Sequence, residues 1–142
     1  MGGITEIATS APGYTSVLPK DKAPLAMTLK LNGYATSQFG KCHEVPVWQT
    51  SPMGPFDSWP TGGGGFEYFY GFVGGDAKQW RPNLFRNTTQ IYPYTGNPEW
   101  NMITGMADDA IKHLIRLNQV DPDKPFFVKY APGATHAPHH PT

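Results

Sequence analysis

The sequence predicts an α/β fold, on three observations. Two stretches, residues 21–39 and 104–130, each read as a helix followed by a short strand. Each strand runs directly into a cluster of polar side chains able to do chemistry. The chain also holds sixteen glycines and fifteen prolines, so ordered loops rather than further helices connect the units.

Residues 1–20 carry Gly, Pro, Ser and Thr at turn density and read as an irregular lead-in. In the first unit, Asp21 is placed to cap a helix, and Leu25, Ala26, Leu29 and Asn32 follow the three-four spacing of one face. Gly33 stands where a left-handed C-terminal cap is favoured. Residues 34–39 follow as a strand. From 44 to 65, Pro46, Pro52, Pro55 and Pro60 break any helix, and the run Gly62-Gly63-Gly64-Gly65 is expected to supply flexibility, because the phosphate-binding pattern Gly-x-x-x-x-Gly-Lys-Ser/Thr is missing. The aromatic residues of 66–72 are expected to form a packed loop lining a core, with a substrate-facing aromatic wall as the rival reading. The second unit is a helix opening at Thr104, with Asp108 and Asp109 in its first turns and His113 and Arg116 in its last, which suits the helix dipole. Residues 121–125 form a turn, and 126–130 read as a strand buried in a parallel sheet.

A chain of 142 residues holds one domain, or part of one. Eleven basic and eleven acidic residues give a formal net charge of zero, which argues against a general nucleic-acid or anionic-membrane binder and favours a small-molecule partner. No stretch is apolar enough for a membrane span, and residues 1–6 lack the basic and apolar regions of an export signal, so cytoplasm and periplasm are both compatible. For want of that signal, the sequon Asn87-Thr88-Thr89 is discounted as a glycosylation site. Cys42 is the single cysteine and cannot form an internal disulfide. Oligomeric state is not legible.

Two clusters carry the chemistry. Gly40-Lys41-Cys42-His43 places an ammonium and an imidazole one residue apart. On an extended chain both point to one side, where an oxyanion would suit them. Cys42, pointing the other way, reads as a buried structural thiol rather than a nucleophile. The second cluster is His136-Ala137-Pro138-His139-His140-Pro141. Its histidine spacing would allow zinc, but the prolines forbid a helix there and no second cysteine or nearby carboxylate completes a shell. His113 reads as a solvated or capping residue.

The order of the pieces adds to this. Leu31-Asn32-Gly33-Tyr34-Ala35-Thr36, then Gly40-Lys41-Cys42-His43, then Gly65-Phe66-Glu67-Tyr68-Phe69-Tyr70-Gly71-Phe72, then Asp123-Lys124-Pro125-Phe126-Phe127-Val128, then Ala137-Pro138-His139-His140-Pro141 resembles the sulfatase family of the alkaline phosphatase superfamily, bacterial arylsulfatases above all. The resemblance covers essentially the whole chain. It implies a partial alkaline-phosphatase-like α/β domain, with residues 1–142 an incomplete catalytic domain. It assigns Lys41 to sulfate binding, His43 to assisting the nucleophile, and His139 to protonating the leaving oxygen; His136 and His140 are not carried over. It also implies a calcium ion held by Asp-Asp and Asp-Asn pairs, and a formylglycine made within a Cys/Ser-x-Pro-x-Arg motif. Neither motif set is in this chain: Cys42 is followed by His43-Glu44-Val45-Pro46, and Asp108-Asp109 fall within a helix. The expected function is hydrolysis of aryl sulfate esters by a complete enzyme, with this chain alone inactive. A phosphonate or phosphodiester hydrolase of the same superfamily and a truncated, non-catalytic sulfate-binding module are the alternatives.

Overall fold

The computed structural model describes residues 15–140; residues 1–14 of the lead-in, and Pro141 and Thr142, lie outside the described residues. The elements in order are α1 (Leu25–Leu31), β1 (Ala35–Cys42), a 3-10 turn (Val47–Gln49), β2 (Tyr68–Val73), β3 (Leu84–Arg86), β4 (Thr89–Ile91), α2 (Met102–Val120) and β5 (Phe126–Ala131). The five strands form one mixed sheet in the order β4-β3-β2-β1-β5.

β1 is the axis of the sheet. It pairs in parallel with β2, from Ser37↔Tyr68 to Cys42↔Val73, and with β5, from Ala35↔Phe126 to Gly40↔Ala131. All its residues except Lys41 are buried. A strand buried on both faces needs cover on both. On one face α2 lays Met102, Met106 and Ala110 on Phe39, Tyr70, Phe72 and Leu84. On the other, Cys42, Val45, Phe69 and Phe85 pack around Trp59, which comes from the loop and not from a helix. The Trp59 indole donates to the Gln49 carbonyl at 2.6 Å and meets Phe56 and Phe85 edge-on at centroid distances of 5.1 and 4.9 Å.

Several expectations are corrected. Helix α1 starts from Pro24, with no side-chain cap, while Asp21 pairs with Lys22 at the surface. Its end is as expected: Gly33 has φ +89, its N–H reaches the Lys30 carbonyl, and the Tyr34 N–H reaches Leu29. The aromatic run is strand β2 rather than a loop. Burial on both faces leaves no apolar-polar alternation to read in Phe69-Tyr70-Gly71-Phe72. The glycine run forms hydrogen-bonded turns, with Gly62 and Gly64 donating to Trp59 and Gly63 to Asp57. Helix α2 opens two residues before Thr104, capped by the Asn101 side chain, which accepts from the Ile103 N–H. It runs on to Val120, so neither the aspartates nor His113 and Arg116 lie in its terminal turns. β5 is an edge strand among the described residues, with Phe126 and Tyr130 exposed, rather than a buried one.

Gly40, within β1, has φ +97, and a Cβ there would collide with the Ala131 carbonyl of β5 and crowd Met106. Gly40→Ala should therefore cost at least about 2 kcal/mol, strain and collision adding. Gly96→Ala, at φ +78 but with nothing within 4 Å, should cost only the strain, about 1 kcal/mol. Urea denaturation of both variants checks this; equal losses would mean that the close approach of β1 and β5 carries no energy.

Candidate functional site

Three parallel strands, β1, β2 and β5, end at the same edge of the sheet. That edge is where an open α/β sheet usually binds its ligand. Lys41 stands on the penultimate residue of β1 and is partly exposed, and alternation places it on the α2 face beside its register partner Phe72. The Gln38 amide donates to the Lys41 carbonyl at 2.9 Å. Among the described residues, no carboxylate lies within ion-pair distance of the Lys41 ammonium.

His43 lies one residue past the end of β1, so the strand alternation that predicts its direction does not extend to it. Other contacts set its position. Its N–H donates to Glu44 Oε2 at 3.0 Å, and its carbonyl accepts from the Ser16 hydroxyl. Gly75, just past β2, lies against the imidazole: a Cβ there would sit 3.2 Å from Cε1.

The second histidine cluster follows the end of β5. Because Ala131 is the register partner of Gly40, the chain leaves β5 beside the Lys41 end of β1. Both clusters thus follow strands that end on the same side of the sheet. His139 is exposed there; His136 is exposed too, its Nδ1 2.8 Å from the Ala137 carbonyl. His140 is half-buried, with Nδ1 enclosed and without a hydrogen-bond partner among the described residues.

Cys42 is buried as expected. Burial, with the Glu44 charge adding, pushes its thiol up to about 12. It is neither a thiolate nucleophile nor part of a formylglycine motif. Among the described residues, no three or more His, Cys, Asp or Glu side chains are grouped to hold a metal ion. The described residues therefore do not fit the calcium ion of the resemblance. Asp109 is engaged elsewhere, accepting from Tyr68 OH and from Arg86 at 2.8 Å. His113 is not a solvated or capping residue. Its ring stacks on Tyr68 at 4.2 Å and meets Phe39 edge-on, and burial holds its pKa below the usual value against the opposing pull of Asp109.

Sequence reasoning missed the ion pair between Glu44 and Lys129, 2.6 Å apart. The available signal was a lysine inside the apolar run Phe126-Phe127-Val128-Lys129-Tyr130, which calls for a partner when the strand packs. Both residues, with Gln38, Cys42 and Phe127, line a cleft of about 900 Å³ on the α1 side of the sheet. Alternation turns Lys41 to the opposite face, so the cleft is distinct from the edge site.

The fold and its polar edge define an α/β domain suited to binding an oxyanion at its strand ends. The chain belongs to the sulfatase family, whose family model matches residues 2–142. A comparison with curated proteins returned no match. Among solved structures, the chain is similar to Ps i-CgsB in complex with k-i-k-neocarrahexaose, with a TM-score of 0.71, 19% identity, and coverage of 87% of this chain and 29% of that one. It is also similar to a 4S-sulf protein from a Bacteroides thetaiotaomicron locus for metabolism of multiple glycosaminoglycans, with a TM-score of 0.63, 18% identity, and coverage of 92% and 31%. The chain thus spans about 30% of the length of these proteins.

The site generates two predictions. With its thiol pushed up to about 12, native Cys42 should react with a disulfide reagent at pH 8 at least about 100-fold more slowly than the same thiol in denaturant. Comparable rates would show an accessible thiol. Burial would raise the Glu44 pKa, but the hydrogen bond and charge of Lys129, with a further bond from Cys42, outweigh it and hold the carboxyl below its ordinary value. A depressed folded pKa stabilises above the ordinary glutamate value of about 4.3, and that contribution is lost as pH falls through the folded value. Lys129→Met should therefore flatten the loss of stability as pH falls below about 4.3; an unchanged acid profile in thermal melts would contradict the pairing.

Proposed function

We propose that this chain is part of an enzyme that hydrolyses sulfate esters. The observation that supports the reading is the shared strand edge: β1 and β5 run in parallel, so Lys41 and His43 and the segment that carries the histidine cluster both leave the sheet on one side. In a sulfatase-family chain, that juxtaposition suits a tetrahedral oxyanion.

In this reading Lys41 holds sulfate oxygens as a fixed positive charge, most strongly as charge develops in the transition state. Cleavage breaks the bond between sulfur and the ester oxygen. The departing oxygen takes both electrons of that bond and needs a proton, which His139 as imidazolium supplies before reverting to neutral imidazole. His43 accepts a hydrogen bond or a proton from the attacking hydroxyl, a group not assigned to any residue here, as the oxygen of that hydroxyl forms the new bond to sulfur. The formylglycine and calcium that the resemblance implies have no matching residues here, and no step is assigned to them.

The resemblance points to an aryl leaving group. A sulfated carbohydrate is the second reading, favoured by the likeness to a structure bound to k-i-k-neocarrahexaose. A phosphate ester is the third, since Lys41 and the imidazoles suit a phosphoryl group as well.

In a complete enzyme carrying this segment, Lys41→Ala and His139→Ala should each lower kcat/KM at least about 1000-fold, as loss of a charge-stabilising or proton-donating group does. Parallel assays with an aryl sulfate, a sulfated oligosaccharide and the matching phosphate ester separate the substrate classes. Near-normal turnover in either variant would remove the assigned roles, and faster phosphate than sulfate cleavage would favour the phosphoryl-transfer reading.

A further inference from the structure

An aromatic group used by no step above leaves the sheet on the same side as Lys41. β4 is antiparallel to β3 and β3 to β2, so β4 runs in the direction of β1. Lys41 pairs with Phe72, Phe72 and Leu84 stand one step beyond the Gly71↔Phe85 pair, and Leu84 pairs with Ile91. Lys41, Phe72, Leu84 and Ile91 thus form one row across four strands, about 14 Å from end to end at the usual strand spacing. Phe72, Leu84 and Ile91 pack with α2, on the face to which alternation turns Lys41.

Tyr92 follows Ile91 directly. It meets Tyr94 edge-on at a centroid distance of 6.2 Å, and Tyr94 meets Trp100 at 6.0 Å. Trp100 anchors the group: it packs against the same core, and a Cβ on Gly105 of α2 would collide with its indole. Turns fix the backbone between them, with the Thr95 N–H donating to Tyr92, Asn97 to Tyr94 and Trp100 to Asn97. The Tyr92 side chain is nonetheless 54% exposed. Among the described residues, nothing hydrogen-bonds the hydroxyl of Tyr92 or of Tyr94.

We infer that Tyr92, held in place by Tyr94 and Trp100, is a stacking platform for a sugar ring of a sulfated saccharide whose reacting sulfate sits at Lys41. This rests on the reading of Lys41 as the sulfate-binding group and narrows its substrate to a carbohydrate chain.

The chemistry selects that occupant. A tyrosine presents a flat apolar face with a hydroxyl at its rim and loses little conformational entropy on binding. A pyranose ring has the matching parts, an apolar face of C–H bonds and a rim of hydroxyls. One aryl ring is too small to reach from Lys41 to the far end of the row, whereas a chain of a few sugars covers it. The loop between β2 and β3 lies between the two ends in the strand order. It exposes Lys78 and Arg81 beside one carboxylate, Asp76, and neither cation has an ion-pair partner among the described residues. A chain carrying further sulfates meets complementary charge there.

The test uses the complete polypeptide carrying this segment, as the parent, Tyr92→Ala and Tyr92→Phe. The substrates are para-nitrophenyl sulfate and hexasaccharides prepared from carrageenan and from chondroitin sulfate. For a hexasaccharide that the parent cleaves, Tyr92→Ala should raise KM about 10-fold, as loss of one stacked ring does, with kcat within about 2-fold. Its kcat/KM for para-nitrophenyl sulfate should not change. Tyr92→Phe keeps the ring and should stay within about 3-fold of the parent. An unchanged hexasaccharide KM in Tyr92→Ala would overturn the inference, and so would an equal loss with the aryl sulfate, which marks a structural role. If the parent cleaves no sulfate ester, the functional reading fails on its own, and calorimetric binding of the hexasaccharides decides the platform. A Kd about 10-fold weaker in Tyr92→Ala would uphold it; an equal Kd, or no binding to the parent, would overturn it.

Discussion

The parallel pairing of β1 with a neighbour on each side is the constraint on which the rest of the structure depends. It pairs residues 37–40 on both sides and takes nearly every side chain of the strand out of water. Both faces must then be covered, and the three strands must end together. Phe39 goes to the α2 side and Cys42 to the loop side, and Lys41 remains partly exposed where the covering layers stop. A cation at that point keeps contact with solvent, which burial elsewhere along β1 would have denied it.

Cover on the second face comes from an irregular segment, which explains much of the composition. Trp59 fills the space a helix would otherwise occupy, and it is wholly buried. Around it the backbone folds back so tightly that Gly62 and Gly64 lie against the main chain of Phe56 and Pro60, with no room for a Cβ. Glycine and proline here encode a rigid shape made by turns, with the Trp59 and Gln49 hydrogen bonds holding it. The loop also carries the chain from His43 out to the exposed Trp48 and back to β2, so the same segment covers the core and lines the α1-side cleft.

The parts of the fold legible in the sequence were those with a local signature. Gly33 ended α1 because a left-handed cap needs no tertiary partner, and a helix through Asp108, Asp109, His113 and Arg116 could be read from the sequence. Its true start at Asn101 was masked, because Thr104 offers a similar capping hydroxyl, which here donates to the Asn101 carbonyl. β2 was missed because burial on both faces erases alternation. The β3–β4 hairpin was missed because each strand is three residues long. Asn87 makes its turn at φ +56 while exchanging hydrogen bonds with the Phe69 backbone, a tertiary fact invisible in Asn87-Thr88-Thr89. At the site, the positions of Lys41 and of the histidine cluster at strand ends could be read from order alone. The link from Glu44 to Lys129 could not, because it joins residues 85 positions apart.

The central proposal is that Lys41, at the end of β1, holds the sulfate group, with His43 one residue beyond it acting on the attacking hydroxyl. Its most direct test is an NMR titration of the complete polypeptide with inorganic sulfate, following the Lys41 side-chain ammonium and the His43 ring. Both resonances should shift along one saturable curve, while Lys129, held by Glu44 at 2.6 Å, stays in place. Saturation that moves Lys129 or the lysines of the α1 cleft, and leaves Lys41 and His43 unmoved, would contradict it.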